Sequence, residues 1–269
     1  TQSRSSAASD VYKRQPMSHL ELSELGDKNF YILGQLYKKS SEYREYTKKA
    51  IADGRFTILD SGVGDEGEVL TNEELFKLTK EIQPNEVIPL DVLYNRNETM
   101  RNFNQFVEWL KIERAKSNLM FTSLLACPQG KNWDEWLDCY RFFLMSRYVT
   151  CIGMSKKAIP HIMESDNIAY SRSVVVSRLK SMNLLRKQLH FLGQGDPREF
   201  IPYTGMRFRS TDSCYPILAA MNGIDLSDSE KFVRVPTPAD YFDREIDPNI
   251  MDLIKKNVNF LRECCNDVL

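Results

Sequence analysis

Phe56-Thr-Ile-Leu-Asp-Ser-Gly62 and Val87-Ile-Pro-Leu-Asp91, with Thr71-Asn-Glu-Glu74 between them, decide how this chain is read. Each flanking stretch is a short apolar run that finishes on an aspartate. Thr71 followed three residues later by Glu74 is a capping-box pattern, and it predicts a helix running to about Ile82. Strand, helix, strand is the repeating unit of a parallel α/β sheet. A carboxylate at the end of a buried strand is costly to desolvate, so it accepts several hydrogen bonds or does chemistry.

The same alternation extends in both directions. Strands are predicted at Phe30–Leu33, Phe56–Leu59, Val87–Leu90, Leu119–Ala126, Tyr148–Ile152, Leu189–Leu192, Met206–Phe208 and Phe232–Val235. Helices are predicted at Ser41–Ala52, Thr71–Ile82, Glu98–Lys111, Trp133–Leu144, Ile168–Asn183, Pro197–Ile201, Tyr215–Met221 and Pro248–Cys265. Eight strands alternating with helices over ~250 residues predict a single α/β domain, a (β/α)8 TIM-type barrel with a C-terminal helix. A doubly wound open sheet is the alternative, but no Gly-rich phosphate loop follows the first strand.

Ser5-Ser-Ala-Ala-Ser-Asp-Val-Tyr-Lys-Arg-Gln15 matches the in-frame translation of a sequencing adapter. Residues 1–15 are therefore expected to be foreign to the fold and disordered, which leaves 16–269 as the barrel domain. No apolar run approaches the ~20 residues of a membrane span. Six scattered cysteines without paired metal spacing imply a reducing, cytoplasmic setting and no metal.

With 36 basic and 37 acidic residues the chain has no global basic field for nucleic acid. Charge is uneven, however: ten Lys or Arg lie between Ser155 and Arg209 against four Asp or Glu. Lys156, Lys157, Arg172, Arg178 and Arg209 belong to that stretch, which is either a phosphate-binding face or a solvated helix surface.

In a barrel of this type, chemistry sits where strands end and the following loops begin. Asp60, Asp91, Gln129, Gly153 and Asp212 all fall there in this reading. Asp60, followed by Ser61-Gly62, is a general acid/base or a turn residue satisfied by its own loop. Asp91 can accept paired N–H donors from an amidine-like edge such as that of guanine, or serve as a salt-bridged structural residue. Asp212 is a candidate nucleophile, oriented by Ser210, Thr211 and Ser213 and kept ionised by Arg209 if that side chain points inward. Gln129 offers a donor and an acceptor to a purine edge, and Gly153 permits close backbone approach. His19, His161 and His190 make no catalytic pair, and His190 reads as structural.

Taken together, these segments resemble the tRNA-guanine transglycosylase superfamily. Asp60-Ser-Gly62 is similar to that family's Asp-Ser-Gly-Gly motif, Asp91 to its base-recognising aspartate, Pro128-Gln-Gly130 and Ile152-Gly153 to its purine-pocket segments, and Arg209-Ser-Thr-Asp212 to its nucleophile segment. Val63 and Met154 stand where the family has second glycines. The tRNA enzymes' zinc-site pattern of closely spaced cysteines and a histidine is absent, so no zinc subdomain is expected. The resemblance is strongest to the zinc-free, phage-type branch that exchanges guanine in DNA for a 7-deazaguanine such as 7-cyano-7-deazaguanine.

That resemblance implies a pentosyltransferase working through a covalent aspartyl-glycosyl intermediate, without a cofactor. Asp212 and Asp60 would be catalytic, and Asp91, Gln129, Gly153, Ser61 and Gly62 would bind the base. The implied partners are DNA and a free 7-deazaguanine base, with a homodimer or partner subunit allowed. A tRNA-directed exchanger of the queuosine type, a non-catalytic nucleic-acid-binding barrel subunit and a hydrolase are the alternatives.

Overall fold

The computed structural model describes residues 10–13, 17–26, 29–62, 69–194, 199–200, 208–228, 235–238 and 240–266. Seven parallel strands, β2 (Asn29–Leu33), β3 (Phe56–Asp60), β4 (Glu86–Val87), β5 (Ser123–Ala126), β6 (Val149–Ser155), β7 (Gln188–Leu192) and β8 (Phe208–Ser213), pair in strict chain order. A doubly wound sheet would reverse that order part-way. Consecutive pairing without reversal is instead the signature of a barrel, here nearly closed.

The seam holds a surprise. Asp10–Lys13, expected to be disordered, forms a short strand β1 that pairs in parallel with β8, from Asp10 beside Ser210 to Lys13 beside Ser213. Val and Tyr favour extended backbone, and the edge of β8 presents unpaired N–H and C=O groups. No β1–β2 ladder forms among the described residues, so the ring stays open there. The strand expected at Phe232–Val235 lies outside the described residues except for Val235, which belongs to no strand. Of the helix expected at Pro197–Ile201, only Glu199 and Phe200 are described.

Nine α-helices occur among the described residues: α1 (Gly34–Lys39), α2 (Ser41–Ala52), α3 (Asn72–Ile82), α4 (Arg96–Ala115), α5 (Trp133–Met145), α6 (Ala158–Ile162), α7 (Ile168–Ser181), α8 (Tyr215–Met221) and α9 (Met251–Asn266). The capping box at α3 is real: Thr71 N donates to Glu74 Oε2 at 2.9 Å, and Glu74 N donates to Thr71 Oγ1 at 3.2 Å. α3 then buries Leu75, Leu78, Thr79 and Ile82, one face at helical spacing.

Two strand boundaries differ from the sequence expectation in ways that matter. β4 ends at Val87 because Pro89 has no N–H for the ladder, so Asp91 sits beyond the strand in the loop that leads to α4. β8 starts where Met206–Phe208 was expected to stop and runs through the polar segment to Ser213, which puts Asp212 inside a strand.

The polar residues of β8 are explained by the barrel lumen. Arg209 Nη1 and Nη2 grip Glu86 Oε1 and Oε2 at 3.0 and 2.6 Å. Thr150 Oγ1 also donates to Glu86 Oε1 at 2.8 Å, and Ser123 Oγ, whose nearer acceptor is the Asn85 carbonyl at 3.2 Å, lies 3.4 Å from the same oxygen. β4 and β8 stand on opposite sides of the ring, so this pair spans the lumen. Glu86, Ser123, Thr150 and Arg209 all occupy the first or second position of their strands, so the network plugs the N-terminal end of the barrel.

Candidate active site

Parallel strands all finish on one rim, and Asp60, Asp91, Gln129 and Asp212 share that rim. Asp212 is the most deeply buried of the three aspartates, at 1% exposure. Its Oδ1 accepts from the Gly193 backbone N–H at 3.0 Å and from His190 Nε2 at 3.2 Å. His190 Nδ1 lies 2.8 Å from Ser210 Oγ. Burial pushes the imidazole below its usual range, so the ring is neutral. A carboxylate can only accept, so Nε2 carries the hydrogen and Nδ1 accepts from Ser210. Across the lumen the ring stacks against Tyr31, centroids 6.3 Å apart and planes within 14°.

This differs from the expected environment of Asp212. Arg209 is committed to Glu86, and the N–H donors of Gly193 and His190 hold the carboxylate instead. Ser210 acts through His190. Thr211 Oγ1 and Ser213 Oγ donate to the backbone carbonyls of Phe191 and Gln194, both at 2.7 Å, and stitch β8 to β7. Gly193 has φ +70°, and a Cβ there would run into the Lys156 side chain. Glycine is therefore required where the backbone turns its N–H onto Asp212.

Asp91 is 6% exposed. Gln129 Nε2 donates to its Oδ2 at 2.5 Å, and Gln129 Oε1 accepts from the Tyr94 backbone N–H at 3.1 Å. Tyr94 adopts φ +62°, a costly conformation for an aromatic residue, and packs against His161 with centroids 4.0 Å apart and planes tilted by 33°. Gln129 thus clamps Asp91 to the loop ahead of α4, with both ends of its carboxamide engaged. Burial is the main influence on Asp91 and raises its carboxyl from 3.8 to about 6, against hydrogen bonds from Gln129 and Cys127 that favour the anion. The Cys127 thiol, pushed well above its usual range by the same burial, stays protonated and able to donate.

Asp60 ends β3 at 4% exposure, paired with Leu33 of β2 and close to Gly34 just beyond it. A Cβ on Gly34 would lie 3.0 Å from the Asp60 carbonyl and closer still to Leu70, so glycine lets the ends of β2 and β3 approach. Ser61 is fully buried, and its hydroxyl has no partner among the described residues. Gly62 has φ +86° and lies against the Gln35 side chain. Gly153 faces a different neighbour from the one expected: the space beside it is filled by Leu192 and Leu125, 2.7 and 2.9 Å from where a Cβ would stand.

The basic residues divide. Lys156 and Lys157 follow β6 on the candidate rim and are half-buried, while Arg178 is exposed and lies over the Trp133 ring at 5.0 Å. Arg172 is buried completely, paired with Glu199 at 2.8 Å and bonded to the Leu192 carbonyl. Arg172 and Arg209 are thus held in internal ion pairs, and phosphate contact was the wrong expectation for both. A cavity of about 500 Å3 opens on the same rim between the first turns of α4 and α5, lined by Arg96, Arg101, Lys131, Glu98 and Glu135 among others, and by none of the three aspartates.

Sequence reasoning missed His190, Gly193, Gly34 and Tyr94. Among the described residues no cluster of His, Cys, Asp or Glu is suited to a metal ion, and no helix is long and apolar enough to cross a membrane. Compared with known proteins, the chain matches no family model and no curated protein, so its chemistry rests on this geometry.

Proposed function

We propose that the protein is a pentosyltransferase that exchanges guanine in a polynucleotide for a 7-deazaguanine, with Asp212 as nucleophile. The observation that carries this reading is the buried Asp212 carboxylate, held by the Gly193 N–H and a neutral His190 on the rim that also carries Asp91 and Asp60. A nucleophilic carboxylate must be ionised and fixed in position, and two N–H donors on one oxygen favour both.

In this reading Asp212 attacks C1′ of the target nucleotide and the C1′–N9 bond to guanine breaks. The leaving base takes its proton from Asp60, and a glycosyl–aspartate ester remains. The incoming base gives its ring N–H proton to Asp60, attacks C1′ and releases Asp212. Two inversions give retention. His190 is not the general base: its one acceptor nitrogen is occupied by Ser210, so proton transfer falls to Asp60. Asp91 receives the N–H edge of the base, with Gln129 fixing the carboxylate rather than reading the purine itself. The target nucleotide leaves its stack to reach the rim. Lys156, Lys157 and Arg178 are the phosphate contacts this reading assigns. DNA is the polymer the sequence resemblance favours, and tRNA is the alternative.

The test is incubation with labelled 7-deazaguanine and either polymer, followed by nucleoside mass spectrometry. Wild type incorporates label and yields a denaturation-resistant protein–nucleic acid adduct, and Asp212→Asn yields neither. Undiminished exchange by Asp212→Asn would remove the nucleophile assignment.

A further inference from the structure

Gln194 lies two residues past the end of β7 and is 3% exposed. Its backbone is fixed on both sides by β8: its N–H donates to the Asp212 carbonyl at 2.9 Å, and its carbonyl accepts from Ser213 Oγ at 2.7 Å. The residue before it is Gly193, whose N–H holds Asp212 Oδ1. Yet both Oε1 and Nε2 of the side chain are buried without a hydrogen-bond partner among the described residues. A dehydrated carboxamide with neither end paired is unfavourable. A fold that keeps one beside its candidate nucleophile holds it ready for something that arrives later.

The donor and acceptor count narrows what arrives. Nε2 needs an acceptor, which any sugar or phosphate oxygen provides. Oε1 needs a donor; the base's N–H edge is already assigned to Asp91, and among the sugar and phosphate groups around C1′ only a 2′-hydroxyl has one. The 2′-carbon adjoins the carbon that Asp212 would attack. We propose that Gln194 is a specificity-determining residue that pairs with the 2′-hydroxyl of the target nucleotide and so directs the site toward ribonucleotides. This rests on the base-exchange reading and chooses between its two polymers, against the one favoured by sequence resemblance.

Two measurements test it. The first needs no substrate: thermal unfolding of Gln194→Met, which keeps the volume and removes the amide. The midpoint stays level or rises if the amide is orphaned, and a clear fall would show a structural partner and overturn the proposal. The second compares matched guanine-containing RNA and DNA hairpins of one sequence, by binding and by exchange. Wild type should favour RNA by about tenfold, the usual consequence of leaving one buried polar atom unpaired. Gln194→Met should lose that factor on RNA and leave DNA unchanged. Equal use of both polymers by wild type, or equal loss on both in the variant, overturns the sugar assignment. Binding that prefers RNA without exchange on either polymer would instead reject the base-exchange reading while leaving the sugar contact intact.

Discussion

Replacing Asp91 by Asn tests whether burial governs its carboxyl and whether that carboxyl binds a base. The fold raises that group from 3.8 to about 6, and at ~1.4 kcal/mol for each tenfold change in proton affinity the penalty on the buried anion is about 3 kcal/mol. Below 3.8 the folded and unfolded chains both carry the proton, and the group contributes nothing to the pH dependence. Between 3.8 and about 6 the unfolded chain releases its proton first, so stability falls as pH rises. Above about 6 the full penalty is present. Asparagine keeps the shape and an oxygen for Gln129 but never ionises. At pH 7.5, Asp91→Asn should therefore be more stable by up to about 3 kcal/mol, on the order of 6–12 °C in a chain of this size. It should also lack the wild type's loss of stability between pH 4 and 6. The assay is urea unfolding across that range, with guanine binding measured in parallel. Wild-type affinity should drop about tenfold per pH unit below about 6, because an amidine edge binds the anion, and the variant should not bind. A destabilised variant at pH 7.5, or one that keeps the wild-type pH slope, would refute the reasoning. It would mean that hydrogen bonds hold Asp91 ionised despite its burial.

Two further outcomes follow from the internal contacts. Arg209→Met strands Glu86 in the plugged end of the barrel and should cost ~3–5 kcal/mol in urea unfolding, while polynucleotide affinity of the folded protein at fixed salt stays unchanged. Gly193→Ala forces a side chain into the left-handed region against Lys156, and should lower stability by ~1–3 kcal/mol and slow single-turnover adduct formation by moving the N–H off Asp212. An alanine variant that matches wild type in both would show that this turn is not what positions the carboxylate.

Much of the barrel was legible because apolar runs and caps are local signals. Thr71 and Glu74 announced α3, and the runs ending at Leu33, Asp60 and Leu192 gave β2, β3 and β7 to within a residue or so. β8 was underestimated because Arg209 to Ser213 is polar, and a strand facing a lumen crossed by an ion pair need not be greasy. The Asp212–His190 contact depends on the register between two strands, which no local pattern encodes. The shift in pairing between Leu189 and His190 hides it further. Arg172 could have been read correctly: it shares the helical face of Val175, Val176 and Leu179, all buried, so its place in the core was written in its spacing. Charge density along the chain obscured that.

The Glu86–Arg209 plug has a consequence for traffic. With the barrel interior packed and the Glu86–Arg209 pair closing one mouth, any ligand of this fold comes and goes by the opposite rim. In the base-exchange reading the outgoing and incoming bases would then share one approach, and an excess of the first would compete with the second.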